Sequence, residues 1–313
     1  MRALGVTEFG GPENLRVIDV PEPHAGPGEV RIRVHAATVN PTDIALVAGM
    51  SRDRLGGRPP PYVPGMDAAG VVSEVGDGVR WRVGDAVMAI VLPTGPHGGA
   101  YADEVVVPAE SVVRVPAGTD LVAASTLPMN GLTARRALDA LDLRAGQTLA
   151  VTGAAGAFGG YVVQLAKADG LRVVADASQA DEELVRGLGA DHVVRRGDDV
   201  ADRIRDLVPE GVDGLADGAV MDDLVAPAIR DGGGLAVVRG WSGDPGRGIR
   251  VHRIAVSLAA KDTAALDRLR QQVEDGVLTL RVARTVPPAD AAEAHRVLAA
   301  GGTRGRLVLD FSS

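Results

Sequence analysis

The run Val151-Thr152-Gly153-Ala154-Ala155-Gly156-Ala157-Phe158-Gly159 lies between an aliphatic stretch, Thr148–Val151, and a helical one, Gly160–Lys167, that ends near Gly170. Glycines at such a strand-to-helix bend let the backbone approach a pyrophosphate and let the helix pack closely on the strand. The helix start then turns its unpaired N–H groups and the positive end of its dipole toward the phosphates. The spacing is Gly153-x-x-Gly156-x-x-Gly159, with Ala154 where the first glycine of a G-x-G-x-x-G reading would fall. Strand before and helix after favour a dinucleotide over an empty turn. Asp176, which ends the next strand, offers an acceptor to an adenosine ribose, as NADH prefers. Arg195-Arg196 ends the third strand candidate and offers guanidinium groups to a 2′-phosphate, as NADPH requires. The two signals conflict.

Other chemistries lack their residues. The chain has no cysteine, which removes disulfides, thiolate zinc sites and Cys nucleophiles together. Its six histidines never approach metal-ligand spacing, so the reading is metal-free. A net charge of −8, with Arg scattered among acids, argues against nucleic acid as a partner. No stretch reaches the ~18 apolar residues of a membrane span, and no leader-like apolar run follows Met1. A cytoplasmic protein without a membrane partner is expected.

These residues need elements to place them. Up to about residue 120 short runs alternate, as in Val30-Arg31-Ile32-Arg33-Val34, and glycine turns separate them. That period of two predicts half-buried strands and a barrel-like β domain. Further strands are predicted at 71–75, 84–91 and 101–107. From there aliphatic strands at 148–151, 172–175, 191–194, 214–216 and 235–238 alternate with helical stretches at 161–168, 181–188 and 200–208. Alternation of this kind predicts βαβ units and a parallel sheet. The tail reads as a helix at 263–276, a strand at 278–282, a helix at 288–300 and a strand at 306–310, and returns to the β domain. The low aromatic share, 3%, leaves the core to Val, Leu and Ala.

Ordered signatures then run through the chain: Phe9-Gly10-Gly11-Pro12-Glu13, Pro27-Gly28-Glu29-Val30, Asn40-Pro41-Thr42-Asp43, and Pro64-Gly65-Met66-Asp67-Ala68-Ala69-Gly70. Leu127-Pro128-Met129-Asn130-Gly131-Leu132-Thr133-Ala134, Gln164-Leu165-Ala166-Lys167, Leu188-Gly189-Ala190-Asp191 and Ala294-His295-Arg296 follow. Together they resemble the zinc-free quinone oxidoreductase branch of the medium-chain dehydrogenase/reductase superfamily. The resemblance implies an α/β protein with a GroES-like β-barrel catalytic domain, 1–120 and 261–313, and a Rossmann doubly wound parallel-sheet domain, 121–260. Where zinc-dependent relatives place ligands, this chain has Asn40, Met66 and Asp67.

The resemblance also implies the site. Gly153, Ala155, Gly156, Ala157, Phe158 and Gly159 would line the pyrophosphate, with Thr126, Asp176, Ser178, Arg195 and Arg196 as further cofactor contacts. Val237, Val238, Arg239 and Gly240, with Val256, Ser257 and Leu258, would flank the nicotinamide end. Asn40 is expected beside nicotinamide and substrate, and Tyr62 is a candidate proton donor. The stretch 51–61 is expected at the substrate entrance, framed by Arg52, Arg54 and Arg58. An aromatic residue common after the Asn-Pro signature is missing, for the chain reads Ile44-Ala45-Leu46-Val47 there.

The expected activity is NAD(P)H-dependent reduction of a quinone or other conjugated carbonyl, with NADPH as cofactor and NADH as the alternative. Enoyl or alkenal double-bond reduction in a biosynthetic pathway is the near rival, and a cofactor-binding protein without catalysis the distant one. Such relatives are commonly homodimers, and the run Asp244–Val251 is expected to supply a pairing edge.

Overall fold

The computed structural model describes residues 1–312, which fall into two compact units. The first comprises Met1–Met129, Ser257–Glu274 and the chain from Leu280 onward; the second comprises Asn130–Val256 and Asp275–Thr279. The first crossing thus comes after Met129 rather than at 120, because α2 (Leu121–Ala124) packs on strands of the first unit. The return comes after Val256 rather than at 260, and residues 275–279 rejoin the second unit.

The first unit opens with β1 (Arg2–Gly5) and β2 (Arg16–Asp19), an antiparallel pair. Next come β3 (Glu29–Thr38), α1 (Pro41–Val47), β4 (Asp67–Val75), β5 (Ala86–Ile90), β6 (Glu104–Pro108) and β7 (Val112–Arg114). The predicted alternation in β3 is what folds: Val30, Ile32 and Val34 are buried while the arginines between them are not. The strand expected from Tyr101 begins only at Glu104, since Tyr101 turns into the core and bonds backbone to backbone with Leu4 and Pro64.

The second unit is the alternating one. It contains α3 (Pro128–Leu141), β8 (Thr148–Thr152), α4 (Ala157–Ala168), β9 (Arg172–Ala177), α5 (Glu182–Gly187), β10 (His192–Arg195), α6 (Val200–Leu207), β11 (Val212–Asp217), β12 (Ile229–Val237) and β13 (Arg250–Arg253). These strands form one sheet in the order β10-β9-β8-β11-β12-β13, parallel throughout. Every residue of β8 is buried, as a strand covered on both faces must be.

The chain then returns through α7 (Thr263–Glu274), β14 (Val282–Val286), α8 (Ala291–Ala300) and β15 (Arg306–Asp310). The strand predicted at 278–282 forms later, at 282–286. Thr279 N–H is taken by the Gln164 side chain at 2.9 Å, so the chain joins no ladder until Val282. In the first unit's large sheet the order is β14-β15-β3-β4-β5-β7, with β6 also on β3. Among the described residues no helix is long and apolar enough to cross a membrane.

Candidate active site

In the second unit the glycine bend joins β8 to α4. Gly153 takes φ +65°, and a Cβ there would lie 2.9–3.0 Å from the backbone of Gly218 and Ala219. At Gly159 a Cβ would meet Gly153 O at 2.3 Å and Ala154 Cα at 2.8 Å, so α4 can approach β8 only without one. Gly156 is different: a Cβ there would meet only Gly153 O, at 3.1 Å. Packing inside the protein barely uses the absence of its side chain. The helix N-cap is Gly156 itself, and no side chain caps the twelve-residue helix that follows. A helix start without a side-chain cap fits a pyrophosphate.

The other expected cofactor residues of this unit gather at the same, carboxyl-terminal edge of the sheet. Asp176, expected to offer an acceptor to an adenosine ribose, lies in β9 near that edge. It is buried, and its Oδ1 accepts Ala154 N–H at 3.2 Å, so it props the bend. Burial raises its pKa above the usual carboxylate value, partly offset by N–H donors of the bend and by the Arg196 charge. The hydroxyl of Ser178 donates to Asp181 at 2.5 Å. Arg195 and Arg196 are exposed at the end of β10, beside Ala177. Val237 ends β12 buried, Val238 is half-buried, and Arg239 and Gly240 form an exposed turn. Val256 is buried; Ser257 and Leu258, which belong to the first unit, are exposed, Leu258 to 89%.

In the first unit the expected residues behave less as forecast. Asn40 caps α1 and is fully buried. Its Oδ1 accepts from Arg306 Nη2 at 2.6 Å, while Nδ2 donates to Asp67 Oδ2 at 3.0 Å and to Thr38 O at 3.4 Å. The amide expected to serve the substrate is therefore spent inside the protein. Asp67 also accepts from Thr38 Oγ1 and from Met129 N–H, both at 2.6 Å, and pairs with Arg306 at 3.1 Å. Sequence reading missed Arg306 because its partners lie at positions 38, 40 and 67, and no local pattern joins them. Thr126, the remaining cofactor candidate, is buried with its hydroxyl on Ala123 O.

Tyr62 donates its hydroxyl to Arg58 O at 2.9 Å and stacks on Phe9, ring centres 4.8 Å apart. It lines a cavity of about 370 Å³ walled by Pro59, Pro61, Pro93 and Pro96. Of the arginines expected to frame an entrance, Arg58 lines this cavity. Arg58 gives its guanidinium to the carbonyls of Leu55, Thr94 and Gly95, and Arg52 lies over the Phe9 ring. Stretch 51–61 is ordered by a 3-10 turn at Arg52–Leu55 and by these bonds.

Behind α1 is a buried polar chain that the sequence did not announce. Asp43 accepts N–H groups from Asn40 and Gly65 at 2.8 Å each. Tyr101 Oη lies 3.3 Å from Asp43 and 3.3 Å from His295 Nε2. Burial pushes the Asp43 carboxyl up to about 7, against the two backbone donors. It pushes the His295 imidazole down to about 4, and His295 Nδ1 has no partner.

Residues 26–117 match the alcohol dehydrogenase GroES-like domain, and residues 188–309 match the family described as zinc-binding dehydrogenase. The 2-haloacrylate reductase of a Burkholderia species is 33% identical over 98% of each chain. This chain belongs to the quinone oxidoreductase-like branch of the medium-chain dehydrogenase/reductase superfamily. Within that family the quinone oxidoreductase of Rattus norvegicus is 31% identical over 99% of this chain and 97% of its own. A solved structure of mycobacterial Rv1454c complexed with NADPH superposes with a TM-score of 0.88 at 29% identity, covering 99% of this chain and all of that one.

The family description names zinc, but the residues here do not fit it. Zinc wants about three N, S or O ligands plus water. Among the described residues no three of His, Cys, Asp and Glu come together, and the Asp67 carboxylate is already paired with a guanidinium.

Gly156→Ala lowers the melting temperature by no more than about 4 °C, because a Cβ there presses only on Gly153 O, yet weakens dinucleotide binding by about tenfold or more. Gly159→Ala costs roughly 1–3 kcal/mol of stability by forcing α4 off β8; thermal melts and fluorescence titration separate the two effects. His295 stays neutral in the folded protein, so its contribution is present above pH 6.5 and is lost as pH falls toward about 4. Asp43 works in the opposite sense between 3.8 and about 7. Comparison of wild type with His295→Gln cancels Asp43, and the acid-side loss of stability should be shallower in the variant by roughly 3 kcal/mol across that window.

Proposed function

We propose that this protein reduces a quinone or other conjugated carbonyl by hydride transfer from NADPH, without zinc. The observation that carries the reading is the glycine bend with its uncapped helix start, set beside two exposed arginines at one edge of a parallel sheet. Ligands bind at that carboxyl-terminal edge in open α/β sheets. When bound, a reduced nicotinamide supplies the hydride.

The chain's own residues then have three tasks. The bend and the α4 start hold the diphosphate. Arg196, with Arg195, pairs with a 2′-phosphate through charge-assisted hydrogen bonds. Asp176 Oδ1 is already engaged by Ala154 N–H, which supports NADPH over NADH. The third task is to meet the charge that develops on the acceptor oxygen. Backbone N–H groups of the turn at Val238–Gly240 are the candidates, because the Asn40 amide and the Tyr62 hydroxyl are engaged elsewhere. Relatives named quinone oxidoreductase and 2-haloacrylate reductase support a conjugated acceptor of either kind. A panel of quinones, enals and enoyl thioesters with NADPH and NADH tests the reading, and cofactor binding without turnover on any of them would sink it.

Arg196→Ala should raise the KM for NADPH by roughly ten- to a hundredfold, the worth of a charged hydrogen bond, and leave that for NADH nearly unchanged. An equal rise for both cofactors would remove Arg196 from the 2′-phosphate. We also propose a cytoplasmic homodimer paired through β13, which is hydrogen-bonded to β12 on one side and ends the sheet. Sedimentation at micromolar concentration should then give twice the 32.1 kDa chain mass, and a monomer would refute the pairing.

A further inference from the structure

After β11 the chain turns beside the glycine bend in a backbone conformation that its residues resist. Val220 takes φ +58° and Asp222 takes φ +52°, both in the left-handed region. Asp tolerates that region, but a β-branched residue there is an outlier, because its Cβ crowds the following carbonyl oxygen. Something must hold the turn, and the buried carboxylate of Asp217 does so. Its Oδ2 accepts N–H groups from Met221 and Asp222 at 2.8 Å each, and its Oδ1 accepts the Thr152 hydroxyl at 2.6 Å.

Thr152 ends β8, so the same carboxylate ties the turn to the bend. Gly218 N–H donates to Thr152 O at 3.1 Å, and Ala219 N–H donates to Thr152 Oγ1 at 3.3 Å. A Cβ at Gly218 would lie 2.7 Å from Thr152 O and 2.9 Å from the Phe158 ring. The turn is therefore closed down on the bend that suits a diphosphate. From β8 the chain moves outward to β9 and β10, then returns to β11 on the other side of β8. Open α/β sheets take ligands where strand order reverses in this way, outside the carboxyl ends of the strands. At that place Val220 is 37% exposed. Glycine would adopt the same φ without strain, and strained backbone of this kind clusters at binding sites.

We propose that Val220 is a contact residue for the dinucleotide, held by Asp217 in a strained left-handed backbone so that an apolar side chain walls the crevice beside the diphosphate. The contact half rests on the dinucleotide reading above; the strain half does not.

The test compares wild type with Val220→Gly and Val220→Ala, in ligand-free thermal melts and in fluorescence titrations with NADPH and NADH. Ordinary backbone favours Ala over Gly, and left-handed backbone reverses the order. Val220→Gly should therefore melt about 1–3 °C above Val220→Ala, both variants having lost the same methyl groups. Both should bind NADPH about threefold or more weakly than wild type, the worth of one apolar contact. NADH should weaken by the same factor, since the two cofactors share the diphosphate. A glycine variant that melts level with the alanine variant or below it overturns the strain half. A loss of affinity under about threefold in either variant, or one confined to NADPH, overturns the contact half. If wild type binds neither cofactor, the dinucleotide reading fails and takes the contact half with it, while the ligand-free melts still judge the strain.

Discussion

A carboxylate taken wholly out of water must find a donor for each lone pair and an opposite charge nearby, or its burial is strongly destabilising. Asp67 meets that demand with Thr38, Asn40, Met129 and Arg306. These donors come from the end of β3, the start of α1, the start of α3 and the start of β15. One side chain on β4 thus ties together the places where the first unit's chain changes direction. Such a pair adds little net stability over a well-packed apolar replacement, but loss of either partner alone is costly, about 3–5 kcal/mol. Its value is that it leaves one arrangement.

The same constraint explains why Asn40 and Tyr62 are poor donors to a substrate. Buried polar groups satisfy themselves first. The Asn40 amide is consumed by the network and the Tyr62 hydroxyl by a carbonyl, as are the nitrogens of Arg58. In the second unit the logic reverses. The α4 start has no side chain to cap it, and a Cβ at Gly156 would meet a single atom, Gly153 O at 3.1 Å. A helix start that no side chain caps is the physical form of an anion site.

Asp43, Tyr101 and His295 form a second buried polar chain behind α1. Desolvation moves the acid and the base in opposite directions, which keeps both near neutrality in charge and avoids a buried ion pair. The chain holds α1 from its inner side while the Asp67 network holds its first residue.

By itself the sequence determined what depends on neighbours along the chain. Alternation in β3, aliphatic runs in β8 and β9, and the glycine spacing at 153–159 each encode a local backbone geometry, so the two-unit α/β architecture and the dinucleotide bend were legible. Absence of cysteine ruled out thiolate chemistry without any coordinates. Only the tertiary structure decided which way polar side chains turn. Asp176 takes an N–H of the bend, and Arg306 meets Asp67 across 239 residues of sequence. Hydrogen-bond partners of buried groups are chosen by whatever the fold brings within about 3 Å, and one-dimensional spacing carries no record of that choice.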